Sequence, residues 1–146
     1  MSKSSAQEKR RQESNARNRR LAAKYQSQAS QLQTTFNSNQ EELDRLKTAQ
    51  KSLKKNIKSY NETKTAAQKS LIDNIEDASF KGTIRTKYDT NATTLLSDMK
   101  TDIQTHSDNL ATLGQEITNR QMSLDLLGSQ ISSLNKSASD CLAAIY

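Results

Sequence analysis

Proline and tryptophan are absent from this chain of 146 residues, and glycine occurs only three times. Apolar residues make up 32% of it and aromatic residues 4%. A compact globule needs more apolar area than that to offset the entropy of ordering its backbone. Two descriptions remain: a disordered polar chain, or a thin helical structure with a narrow apolar seam. The aliphatic residues recur with a helix-like period, which favours the second.

The single cysteine, Cys141, excludes an intramolecular disulfide and a cysteine-rich zinc site. Its simplest role is that of a small core hydrophobe. The single histidine, His106, leaves no His-x-x-x-His pair, and no glycine-rich phosphate loop occurs. His106 and Cys141 fall on one expected helix, which would hold them about 50 Å apart, too far for a nucleophile–base dyad. Carboxylate pairs such as Glu41–Glu42, or Asp73 with Asp77, lie on ordinary polar helix surface. The expectation is therefore no enzymatic activity, no metal, no cofactor and no small-molecule substrate. No apolar run reaches bilayer length, and the first twenty residues lack the apolar region of a secretory signal. The chain is expected to be cytoplasmic at first, with any export following a helical partner.

The formal net charge of +6 is unevenly placed. Residues 1–24 hold eight basic side chains (Lys3, Lys9, Arg10, Arg11, Arg17, Arg19, Arg20 and Lys24) against Glu8 and Glu13. That is the whole excess, since the remainder carries fourteen charges of each sign. Residues 1–24 are expected to form a basic, flexible N-terminal arm.

From the end of the arm onward, apolar residues alternate at spacings of three and four. They run through Ala22, Tyr25, Ala29, Leu32, Phe36, Leu43, Leu46, Leu53, Ile57, Tyr60, Ala67 and Leu71. Asn39, Gln50 and Lys64 interrupt this stripe. A second one runs through Tyr88, Ala92, Leu96, Met99, Ile103, His106, Leu110, Leu113, Ile117, Leu124, Leu127, Ile131, Leu134, Ala138, Cys141 and Ile145. Arg120 interrupts it, Leu95 and Leu126 widen it, and Gly114 and Gly128 stand off it, where they would soften the helix or admit a third one. The pattern predicts helices over about 25–75 and 84–145, joined by a turn over about 76–83. The fold expected is all-α: a long antiparallel helical hairpin. Asp77 and Ser79 favour the turn, Gly82 supplies positive φ, Thr83 caps the second helix, and Phe80 covers the end of the core.

A basic segment leading into a heptad helix is also the layout of a leucine-zipper DNA reader, with Asn15 and Asn18 near base edges. Against this, Ala22-Ala23 stand one place late after Asn18, the zipper positions include Asn39, Tyr60 and Ala67, and a zipper needs no second amphipathic helix. Nucleic-acid binding, by non-specific attraction to the arm, ranks behind protein–protein interaction.

The turn Phe80-Lys81-Gly82 at the centre of a helical hairpin resembles the aromatic-x-Gly turn of the WXG family of small type VII secretion (ESX) proteins, with Phe in place of Trp. The layout is most similar to the YwqH-like helical proteins associated with LXG toxins. The segment YQSQASQLQTTFNSNQEELDRLKTAQKSLKK matches their first helix, and ISSLNKSASDCLAAIY their short apolar close. The resemblance covers about residues 25–146. It implies a WXG-like hairpin that completes a multi-helix bundle with a partner. It implies a helper or chaperone that binds the helical N-terminal LXG domain of an antibacterial toxin and stabilises it for export, with a second small helical helper as a further partner. No Tyr-x-x-x-Asp/Glu export element follows: Tyr60 leads to Lys64 and Tyr88 to Ala92. An export signal would then come from the partner or the second helper. The partner-binding candidates are Tyr25, Leu32, Phe36, Leu43 and Leu46 on the first helix. On the second they are Leu110, Leu113, Ile117, Leu124, Leu127, Ile131 and Leu134. The alternative reading is a self-associating structural coiled coil.

Overall fold

The computed structural model describes residues 3–76 and 80–146. Helix α1 spans Lys3–Gln68 and helix α2 spans Thr83–Ala143. The two run antiparallel as a hairpin, so the all-α expectation holds. The seam is the heptad line read from the sequence, because only that line presents enough apolar area for two helices to bury against each other.

α1 begins at Lys3 and not near Tyr25, so residues 3–24 continue the first helix instead of standing apart from it. Their sequence contains neither proline nor glycine, and nothing in it stops a helix. The heptad line carries on through this stretch, with Asn15 and Asn18 half-buried and Ala22 only 1% exposed.

The chain divides into two units, each built from both helices: Met1–Asp44 with Thr118–Tyr146, and Arg45–Ile117. In the first, Ala22, Ala29, Leu43, Leu124, Ile131 and Ala138 are buried. Leu43 (0% exposed) and Leu124 (1%) are its largest fully enclosed side chains. Arg120, an interruption of the α2 stripe, reaches across to the Glu42 carboxylate, so its charge is met at the edge of the seam. In the second unit Ala92, Leu96 and Met99 are buried. Tyr60 donates its hydroxyl to the Asp102 carboxylate at 3.1 Å.

Both α2 glycines face α1, which corrects their expected position off the seam. A Cβ on Gly128 would stand 3.7 Å from the Phe36 ring, and one on Gly114 would stand 3.4 Å from Gln50 Nε2. Each glycine leaves room for a bulky α1 side chain, so it is the first helix and not a third that approaches them. Two further corrections follow from size and polarity. His106 is exposed, and Ser107 turns inward in its place, donating its hydroxyl to the Ile103 carbonyl at 2.8 Å. Leu95 and Leu126 do not widen the seam; they are 48% and 61% exposed, because each lies outside the heptad line.

α1 closes with one π-helical turn over Lys69–Asp73, in which the Asn74 amide donates to the Lys69 carbonyl at 2.9 Å. The first helix therefore stops short of residue 75. Asp77 and Ser79, expected as turn formers, lie outside the described residues. Gly82 has φ of +73°, and its carbonyl accepts the Thr86 amide at 3.1 Å. Gly82 thus takes the capping place expected of Thr83, which is instead the first residue of α2.

Candidate functional site

Three parts of the molecule bear on function: the turn, the seam and the surface outside it. At the turn, the Phe80 ring is half-buried and meets the Tyr88 ring edge-on, with centroids 5.0 Å apart and planes at 79°. The Arg85 guanidinium lies 5.3 Å from the centre of the Phe80 ring. Arg85 also binds the Asp89 carboxylate at 2.9 Å and donates to the Glu76 carbonyl at 3.2 Å. The Tyr88 hydroxyl donates to the Leu71 carbonyl at 2.9 Å, tying the end of the first helical segment to α2. Lys81 is exposed, and the space around Gly82 is open. Phe80-Lys81-Gly82 thus combines an anchored ring, an exposed cation and a glycine whose conformation excludes most other residues.

The twelve seam residues named as partner contacts are not equivalent. Leu43, Leu124 and Ile131 are enclosed between α1 and α2. Tyr25, Leu32, Phe36, Leu46, Leu110, Leu113, Ile117, Leu127 and Leu134 are half-buried: the hairpin covers one side of each and leaves an edge in solvent. Within Arg45–Ile117 a cavity of about 190 Å³ opens on the seam, lined by Leu53, Asn56, Ile57, Tyr60 and His106. The His106 ring stands 6.5 Å from that of Tyr60, at its rim. The partial burial of Tyr60, with the Asp102 carboxylate beside its hydroxyl, holds that phenol above its ordinary pKa. The walls are mainly apolar, with the polar ends of Asn56, Tyr60 and His106 among them.

Sequence reasoning missed several exposed apolar residues outside the heptad line. Met122 is 64% exposed, and it lies one turn from Leu126 on the outer face of α2. Ile84 and Leu142 are also exposed. Their signal was present as large apolar residues away from the alternating positions.

Asn15 and Asn18, considered above as base readers, are occupied elsewhere. Asn15 donates to the Tyr146 carbonyl at 2.9 Å and accepts from the Tyr146 amide at 3.2 Å. Asn18 donates to the Ala144 carbonyl at 3.2 Å. Together they satisfy backbone groups that the end of α2 would otherwise leave open.

Among the described residues, no three His, Cys, Asp or Glu side chains gather as a metal site would require. Cys141 is a free, half-buried thiol. Among the described residues, no helix is long and apolar enough to cross a membrane. No protein-family model matches the chain, and no curated protein or solved structure is significantly similar to it.

Proposed function

We propose that this protein is a non-enzymatic helper that packs its hairpin against the helical N-terminal domain of an LXG toxin and stabilises that domain for type VII export. The observation that carries the reading is the half-covered seam. Nine of the twelve named seam residues keep an edge in solvent after the two helices have paired. A third or fourth helix would bury those edges, and because each side chain is already largely covered, each would add only a fraction of the about 1.5–3 kcal/mol that full burial of a large side chain contributes. Met122 and Leu126 add apolar area on the outer face of α2. The toxin class comes from the resemblance of the Phe80-Lys81-Gly82 turn and the hairpin layout to the WXG-type and YwqH-like proteins. A second small helper would supply a further helix and the export element that neither Tyr60 nor Tyr88 begins.

The test is co-expression with a candidate LXG protein, followed by affinity capture and mass determination of the eluted species. The expected result is a heteromeric complex that survives when the toxin is cut to its N-terminal helical region. Recovery of the chain as a tight homodimer or tetramer, indifferent to the toxin, would replace this reading with the self-associating coiled coil.

A further inference from the structure

The basic stretch of α1 has one sidedness that the seam explains and another that it does not. Between residues 9 and 24, Asn15, Asn18 and Ala22 face the end of α2. Arg10, Arg17 and Lys24 recur at intervals of seven on the outer side, about 10.5 Å apart at helical rise. Arg20 stands one turn from both Arg17 and Lys24. Arg17, Arg20 and Lys24, with Glu13, Ala16 and Leu21, line an open groove of about 480 Å³.

Most of these charges are unopposed among the described residues. Arg11 is paired with Glu8 at 2.8 Å, but among the described residues Lys9, Arg10, Arg17, Arg19, Arg20 and Lys24 make no ion pair. Glu13 is the one acid in the groove. The excess is thus directed outward and left for an external polyanion.

Shape decides which polyanion fits. A DNA major groove is about 12 Å wide and admits one helix of about 10–12 Å diameter. From Asn15 onward this stretch is already paired with the end of α2, so Arg17, Arg20 and Lys24 sit on one side of a two-helix unit too broad to enter. A strip of cations on one side of such a unit suits a flat surface. The only large apolar residue in the groove, Leu21, is half-buried, so insertion into hydrocarbon is not part of the fit.

We propose that the strip Arg10, Arg17, Arg20 and Lys24 adsorbs the protein electrostatically onto an anionic phospholipid surface. The inference is independent of which helix fills the seam, because the strip lies on the opposite side of α1.

The test is cosedimentation of the full chain with phosphatidylcholine vesicles that contain phosphatidylglycerol, and with vesicles of phosphatidylcholine alone. Binding is expected only to the anionic vesicles, weakening as salt is raised. Each cation removed is expected to lower the partition coefficient about fivefold, so Arg17→Gln with Arg20→Gln loses about twenty-five-fold. Lys51, Lys54 and Lys55 are also exposed and, among the described residues, make no ion pair. A Lys51→Glu, Lys54→Glu, Lys55→Glu variant should therefore bind nearly as the parent does, whereas Arg17→Glu, Arg20→Glu, Lys24→Glu should not bind. Circular dichroism checks that both triple variants stay helical. Equal loss in the two triple variants would reduce the effect to net charge and overturn the proposal. So would retention of duplex DNA, with no binding to vesicles, at the same ionic strength.

Discussion

The stretch formed by Met1–Asp44 with Thr118–Tyr146 and the stretch Arg45–Ile117 follow the same heptad rule and pack differently. In the first, Ala22, Leu43, Leu124 and Ala138 are at most 2% exposed. In the second, the best-buried side chains, Ala92, Leu96 and Met99, keep 6–9% of their surface, and a cavity opens beside Tyr60. The first places alanines around its leucines and gives the Phe36 ring a glycine to lie on. Both lines carry a tyrosine and polar interruptions, Asn39 and Arg120 in the first and Gln50 and Lys64 in the second, but the second also sets an imidazole at the rim of its cavity, and that polar end stays near water. Spacing brings the helices together in both; matched side-chain sizes close the seam in one.

The sharpest way to break this comparison is truncation of one leucine in each stretch. Leu43→Ala or Leu124→Ala is expected to cost about 2–5 kcal/mol, read from the urea midpoint at constant slope. Leu53→Ala, at the wall of the cavity, removes a half-exposed side chain and should cost about 1 kcal/mol. Equal losses would mean that the cavity closes in solution. Next comes Gly82→Ala, where open space leaves backbone strain at φ +73° as the only penalty, about 1–2 kcal/mol by the same denaturation. A smaller effect of opposite sign is expected at Gly128→Ala. The added methyl meets Phe36 at an ordinary contact distance, so removing a mid-helix glycine should raise stability by up to about 1 kcal/mol. The smallest effect is that of pH. The Tyr60 phenol, half-buried beside Asp102, has its pKa raised in the folded state. The stability it contributes is complete below the pKa of an unfolded tyrosine and is lost as pH rises through the higher folded value. Ultraviolet difference titration of the parent against Tyr60→Phe should remove a tyrosine that ionises above the ordinary phenol range. Loss of one that ionises within that range would place Tyr60 in full solvent.

The seam was legible in the sequence almost residue by residue, because a helix pair buries the residues that alternate at three and four. Phe80, Gly82 and the hairpin reversal could be read as well, since one glycine between two long periodic runs leaves few other places to turn. His106 was misplaced because the pattern assigns a position to the line without asking whether the side chain needs water; Ser107 takes the inward place. The start of α1 was set too late because its charges were read as a tail, although charge alone does not stop a helix. Gly114 and Gly128 were misread because their use depends on Gln50 and Phe36, residues distant in sequence. Of the proposed partner surface, the apolar identities could be read and the division into covered and half-covered residues could not. That division depends on how deeply each side chain reaches between the helices.

The pairing of Phe36 with Gly128 and of Gln50 with Gly114 has an evolutionary corollary. Bulk is lodged on one helix and the smaller residue on the other, so a change beyond alanine at either glycine is felt by its partner. A residue larger than alanine at 128 demands a smaller one at 36, and the same exchange binds 114 to 50. Among homologues, side-chain volume at these paired positions should covary inversely while their sum stays nearly constant, and chimaeras that join α1 of one homologue to α2 of another should fail first at these two crossings.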